Sequence, residues 1–327
     1  MEKVRKPLFF IEYEKKDITA YITPYALSVT YTDYVHGKSD EIEIQLEDRE
    51  HLWKSSWYPQ KGDLITLKIG YEGEKLLPCG SFEIDEIELS APPDVVSLKG
   101  LATNIKKALR QANTKAYENK TLKQIAEEIA KKHGYELVGE IKDIKIKRIT
   151  QKQERDIAFL KRLAEDYGYV FKITDGKLVF YEIEALESQS VVYIIDRKDM
   201  ISFSFRDKTY ELYKACEVQY HDPKTKKVIT HTVNADGVTK GDTLKINERV
   251  ENKEQAIAKA KAHLKAKNKM QTEGNIVIIG NPKLVAGSNI EITGLYILNG
   301  KYHIESAKHT ISRMDGYKTE LEVRRVA

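Results

Sequence analysis

Apolar and polar residues alternate strictly through Asp40-Glu41-Ile42-Glu43-Ile44-Gln45-Leu46-Glu47, the period of a half-buried strand. Gly62-Asp63 then opens a second strand, Leu64-Ile65-Thr66-Leu67-Lys68-Ile69. After Gly80 comes Phe82-Glu83-Ile84-Asp85-Glu86-Ile87-Glu88-Leu89, whose apolar phase slips between Ile84 and Ile87. A slip of one residue predicts a β-bulge at Asp85-Glu86. Ala91-Pro92-Pro93-Asp94 stops that strand and Val95-Val96-Ser97-Leu98 begins another. The first third is therefore predicted to be antiparallel β.

The period changes in the middle third. Thr121-Leu122-Lys123-Gln124 fits a capping box, and Leu122, Ile125, Ala126 and Ile129 form a helical stripe ending at His133-Gly134. A second helix, from about Glu154 to Tyr167, carries Ile157, Leu160, Leu163, Ala164 and Tyr167 on one face, with Gly168 as its stop. Tyr169–Ile173 and Lys177–Tyr181 flank Asp175-Gly176, a hairpin signal. Ile125, Ile129, Leu160 and Leu163 are the predicted core of this α+β unit. The last third returns to strands, with a helix predicted at about 252–269. Its six lysines, without interleaved aromatic residues, read as a solvated face rather than a single-strand nucleic-acid surface.

The outer thirds resemble each other. Gly62-Asp63-Leu64-Ile65-Thr66-Leu67 precedes Gly80-Ser81-Phe82-Glu83-Ile84-Asp85, just as Gly287-Ser288-Asn289-Ile290-Glu291-Ile292 precedes Gly300-Lys301-Tyr302-His303-Ile304-Glu305. Each second segment reads Gly-x-aromatic-x-Ile-acid, and each leads to a further alternating strand, through Val96 and Leu98 or Leu321 and Val323. Two matching segments in the same order point to duplication. The predicted fold is mainly β with an α+β insert, giving a first barrel over 1–105, an α+β domain over 106–186, and a second barrel over 187–327 that carries the inserted helix.

Composition narrows the function classes. The 327 residues are 41% apolar and 32% charged, as in a globular protein rather than a disordered or membrane one. The apolar run Leu8–Ile11 is too short for a signal peptide or a membrane span, so assembly in a cytoplasm is expected. Cys79 and Cys216 are the two cysteines, too few for a disulfide scaffold or a multi-cysteine metal cluster. The net charge of +4 conceals an acidic first hundred residues, with 12 Lys+Arg against 19 Asp+Glu. No Gly-x-Ser-x-Gly, His-Glu-x-x-His or Gly-x-Gly-x-x-Gly occurs. His221-Asp222 and His231 lack a second spaced ligand pair, and Cys79 lacks a nearby His to act as base. No catalytic, cofactor-binding or metal site is predicted, and the chain is read as a non-enzyme.

Several segments together resemble the phage late control gene D family. They are Thr121–Ala126 through His133-Gly134, Glu154–Gly168, Gly280-Asn281-Pro282-Lys283-Leu284, Ala286-Gly287, Gly294, Gly300–Ile304 and His309. These are baseplate hub proteins of contractile and related tails, similar in fold to the bacteriophage T4 hub and to the hub part of type VI spike proteins. The resemblance implies a homotrimer with two tube-like barrels per chain, adapting a sixfold tail tube to a threefold spike. It also implies partners: a tail tube protein, a separate spike protein (no spike repeat follows), other baseplate proteins and a tape-measure protein. DNA would pass through a phage hub without specific binding. The expected location is the host cytoplasm during assembly, then a virion tail or an extracellular injection particle. Glu41, Glu43, Glu47 and Glu83 are the candidate channel-lining residues, because a bore that passes a polyanion is best lined by repelling charge. The rival readings are a LysM-like glycan-binding module, suggested by the capped helix ending at His133-Gly134, and a cell-wall hydrolase with an unrecognised site.

Overall fold

The computed structural model describes residues 5–102, 111–174, 176–208, 212–222, 227–238, 240–248, 250–269 and 271–326. Alternation in the first third becomes β1 (Pro7–Tyr13), β2 (Lys16–Asp17), a short helix α1 (Thr19–Ile22), β3 (Ala26–Tyr34), β4 (Glu41–Glu47), β5 (Leu64–Tyr71), β6 (Leu77–Ser90) and β7 (Val95–Ala102). Ile42, Ile44 and Leu46 face inward at 2% exposure or less, while Glu41, Glu43, Gln45 and Glu47 lie on the other, more exposed face. The register of β6 on β7 shifts between Ile84 and Glu86, where the apolar phase slips.

Middle elements are β8 (Ala112–Thr121), α2 (Leu122–His133), β9 (Glu136–Val138), β10 (Lys145–Arg155), α3 (Asp156–Tyr167), β11 (Tyr169–Thr174), β12 (Lys177–Glu182) and α4 (Ile183–Ser188). The Thr121 hydroxyl accepts from the Gln124 amide at 3.2 Å, and the Gln124 side chain accepts from the Thr121 amide at 2.9 Å. Gly134 and Gly168 close the two helices with φ of 68° and 77°, a conformation that glycine adopts without a Cβ penalty. Glu154 and Arg155 stay in β10, so α3 starts two residues later than the sequence pattern suggests. β11 and β12 pair antiparallel around Gly176; Asp175 of the expected turn lies outside the described residues. Ile125, Ile129, Leu160 and Leu163 lie in one cluster, each at 1% exposure or less.

The last third holds β13 (Val191–Asp196), β14 (Met200–Asp207), β15 (Tyr213–Asp222), β16 (Lys227–Asn234), β17 (Asp242–Ile246), α5 (Lys253–Asn268), β18 (Thr272–Ile279), β19 (Asn289–Thr293), β20 (Gly300–Ser312) and β21 (Gly316–Arg325). One expectation needs correction here. The insertion is more than a helix: β15 to β17 form a separate three-stranded sheet, and α5 closes over it with Ala256, Ala260 and Leu264 against Cys216 and Val218. The sequence pattern does not set this unit apart, because α5, with alanines rather than large residues on its buried side, gives little amphipathic signal.

Both outer thirds belong to one 13-stranded sheet, in the order β14-β18-β21-β20-β3-β4-β7-β6-β5-β1-β2, with β19 beside β20 and β13 beside β19. The halves have separate apolar clusters, yet Ile311 and Tyr317 from the last third join the first cluster. Their ladders superpose strand by strand. β3, β4, β6 and β7 correspond to β14, β18, β20 and β21. Following the registers, Ile84 matches Ile304, Leu98 matches Leu321, Ile44 matches Ile276 and Val29 matches Phe203. Bulges fall at matching places, between Ile84 and Glu86 and between Ile304 and Ser306. A second matching pair lies between Ala26 and Ser28 and between Met200 and Ser202. Shared irregularities of this kind are not required by alternation and mark the halves as copies. The halves differ beyond these strands: β1 runs antiparallel to β5, whereas β13 runs parallel to β19, and the register of β5 on β6 shifts between Leu67 and Lys68 where that of β19 on β20 does not.

Candidate channel-lining face

The halves meet where β3 pairs antiparallel with β20, from Ser28 opposite Ser312 to Tyr34 opposite Ser306. This joint makes a continuous eight-strand surface from β14 to β6. Because side chains alternate, each strand sends polar residues to the same side. One row runs Ser202, Val277, Glu320, Lys308, Thr32, Glu41, Leu101, Glu83. The next runs Thr310, Thr30, Glu43, Lys99, Glu86. Glu47 stands farther along β4, opposite Val95. All four acidic candidates thus share one face, which also forms a groove of about 730 Å³ between Glu41, Glu43, Glu86, Lys308, Glu320 and Glu322.

The acids are held differently. Glu41 accepts from the Tyr34 hydroxyl at 2.9 Å; burial and this bond push that phenol up to about 12. Glu43 accepts from Ser97 and Gln45, each at 3.1 Å. Arg313 and Arg49 hold the Glu47 carboxyl below its ordinary range, Arg313 bonding it at 3.0 Å. Glu83 is exposed. Alternation in Lys318-Thr319-Glu320-Leu321-Glu322 was a sequence signal for two further acids on this face, Glu320 and Glu322.

Beneath the face, the joint is buried. His309 stacks on Tyr31, its Nε2 lies 2.9 Å from the Leu284 carbonyl and its Nδ1 2.8 Å from the Tyr317 hydroxyl. Burial pushes this imidazole down to about 4, so at neutral pH the ring is uncharged, donates from Nε2 to the carbonyl and accepts at Nδ1. Lys172 of β11 reaches from the middle unit to Asp33 at 2.5 Å and Asp40 at 2.7 Å, and Asp33 also accepts from the Ala286 amide at 2.9 Å. One buried ammonium therefore ties the middle unit to the joint.

Other candidate chemistry finds local explanations. Burial raises the Cys79 thiol well above its usual value and pushes Cys216 up to about 11, which disfavours the thiolate. Asp166, Glu248 and His263 form an acid–histidine trio among the described residues, but the Lys259 ammonium sits 2.7 Å from Glu248 and 3.4 Å from Asp166. That ammonium supplies the positive charge that a metal ion would otherwise bring to the two carboxylates. His231 stacks on Tyr220, while the side chains of His221 and Asp222 lie outside the described residues.

Residues 107–324 match the YQBQ-like family. The chain belongs to the YQBQ-like family. This member is also similar to the probable baseplate hub proteins of Escherichia phage 186, at 29% identity over 53% of the chain and 44% of the relative, and of Escherichia phage P2, at 31% identity over 53% and 45%. The match thus spans less than half the length of these relatives. In fold it resembles the 43 kDa tail protein of prophage MuSo2 from Shewanella oneidensis, with a TM-score of 0.75, 15% identity, and coverage of 98% of each chain. A tail protein from Neisseria meningitidis aligns with a TM-score of 0.73 and 12% identity, over 98% of this chain and 97% of that one. An E. coli component of the type VI secretion system, described as structurally similar to bacteriophage T4 tail proteins, aligns at 0.58 and 12% identity, over 93% and 74%. Full-length agreement with tail proteins places the mainly β fold, duplicated halves and α+β insert together in this fold group.

Proposed function

We propose that this YQBQ-like chain is a structural baseplate hub, without catalytic activity, in a phage tail or related injection particle. The observation that carries this reading is the duplication: two matching half-sheets in one chain present one continuous polar face. Three such chains offer six near-equivalent units, which is what a sixfold tube resting on a threefold spike requires. In this arrangement the polar face lines the bore, with Glu41, Glu43, Glu47 and Glu83 toward the lumen. The middle α+β unit (106–186) and the β15–α5 insertion stand outside it. Tail tube protein, a spike protein, other baseplate proteins and a tape-measure protein are the expected neighbours. Cytoplasmic assembly precedes incorporation into the particle.

Electron microscopy of the purified protein, alone and with tube and spike proteins, tests the reading. A threefold ring with Glu41 and Glu43 on its inner wall is expected. A ring with both on its outer wall, or a chain that stays monomeric with all partners present, overturns it. Peptidoglycan binding or cleavage by the purified chain favours the glycan-module or hydrolase alternatives.

A further inference from the structure

Lys172 of β11 lies between two carboxyls of the joint, and all three groups are largely out of water. Its Nζ is 2.5 Å from Asp33 Oδ1 and 2.7 Å from Asp40 Oδ1, with side chains at 13%, 9% and 3% exposure. The second oxygen of Asp33, Oδ2, accepts separately from the Ala286 amide at 2.9 Å. A primary amine, a carboxyl carbon and a second carboxyl held in one dry site are the parts of an amide condensation. We propose that Lys172 and Asp33 form an isopeptide bond within the chain, with Asp40 as the proton carrier and water as the other product.

The ion pair is the state before reaction, and the atoms balance without a further reactant. Nζ gives one proton directly to Asp33 Oδ1, leaving a neutral amine beside a neutral acid. The nitrogen lone pair then forms a bond to Asp33 Cγ, and the negative charge that builds on Oδ2 meets the Ala286 N–H. Asp40 takes a second proton from the nitrogen and passes it to Oδ1. The Cγ–Oδ1 bond breaks, Oδ1 leaves as water with both protons, and Asp40 ends as it began. Burial pushes the Asp40 carboxyl up to about 7, so near neutral pH it both accepts and releases a proton. Burial pulls the Lys172 ammonium down, but the two aspartates outweigh it and hold the group above its ordinary range, which makes the first step slow. The product is favoured all the same, because a neutral amide replaces a desolvated ion pair. Lys259, also buried between two carboxyls, lacks this geometry: Asp166 is 3.4 Å away and the Glu248 side chain is 33% exposed. The bond joins residues 139 positions apart and ties the middle unit covalently to the joint. It does not depend on the hub reading.

Mass spectrometry of the full-length chain tests the bond. Protein held folded at neutral pH for days is expected to accumulate a species lighter by one water. A proteolytic digest of that species should contain a cross-linked pair of peptides, with tandem spectra placing the link between Lys172 and Asp33. Lys172→Arg keeps the positive charge but offers no comparable nucleophile, and should remain at full mass. Asp40→Asn keeps the shape of the site but removes the proton carrier, and should slow the loss of water by about a hundredfold or more. A buried ion pair with a purely structural role would produce none of these mass changes. Full mass in the unaltered protein after prolonged storage would overturn the proposal. So would loss of water without a cross-linked peptide, which would mark a cyclic imide at an aspartate, or a link from Lys172 to Asp40 instead of Asp33.

Discussion

His309 of β20 lies nearly parallel to Tyr31 of β3, with ring centroids 6.2 Å apart and planes inclined by 18°. The pair sits where the duplicated halves join, beneath the polar face. Burial pushes His309 and His303 down to about 4. Unfolding frees both to bind protons near their ordinary value, so between about pH 6.5 and 4 the unfolded chain holds more protons. Their contribution is therefore full above that window and is lost as pH falls through it, on the order of 3 kcal/mol each. Urea midpoints measured across the window should decline steeply, and His309→Gln, which can still donate to the Leu284 carbonyl, should flatten the decline. An unchanged slope in the variant would remove this account.

Leu160→Ala is expected to cost about 2–5 kcal/mol, as are Ile125→Ala, Ile129→Ala and Leu163→Ala near the upper or lower part of that range as their cavities relax. The cluster holding these residues is separate from those under the two half-sheets. Hydrogen exchange should accordingly speed in α2 and α3 while β4 and β21 keep their protection. Loss of protection throughout would show that the units do not fold separately.

Removing Lys172 should be costly. Lys172→Met leaves Asp33 and Asp40 facing each other in the joint with no ammonium between them, a loss of about 3–5 kcal/mol for a broken buried pair. Adding Asp40→Asn should recover part of it, because burial already raises that carboxyl to about 7 and the amide carries no charge. Chemical denaturation of the three proteins provides the comparison, and a double variant no better than Lys172→Met would speak against charge as the cause.

Strict alternation made β4 and the two faces of β6 legible, since a half-buried strand leaves no other pattern. The capping box at Thr121 and the glycine stops at 134 and 168 were legible for the same reason: each satisfies a local need of a helix end. The joint was not. Ser306-Ala307-Lys308-His309 carries no mark that it will pair with β3, because the pairing partner of a strand is set by its neighbours in space. Lys172 reaching Asp33 and Asp40 depends on that packing as well. The β15–β17 sheet escaped notice because its strands bury few large residues and its helix buries alanines.

The acidic face should matter to a passing polyanion. Glu41, Glu43 and Glu83 share it with Glu320 and Glu322, against Lys99 and Lys308, so their field repels phosphate. Glu41→Lys/Glu43→Lys/Glu83→Lys reverses the first-half share of that field without touching the core, since none of the three is buried. Each phosphate then neutralised releases counterions and steepens the dependence of log K on log salt by roughly 0.9. The unaltered protein is expected to show negligible, salt-insensitive binding to duplex DNA, and the variant measurable binding that fades as salt rises. In a reconstituted phage particle the same variant should slow DNA ejection while leaving assembly intact. Equal DNA binding by both proteins, at every salt concentration, would place these glutamates outside the DNA's path.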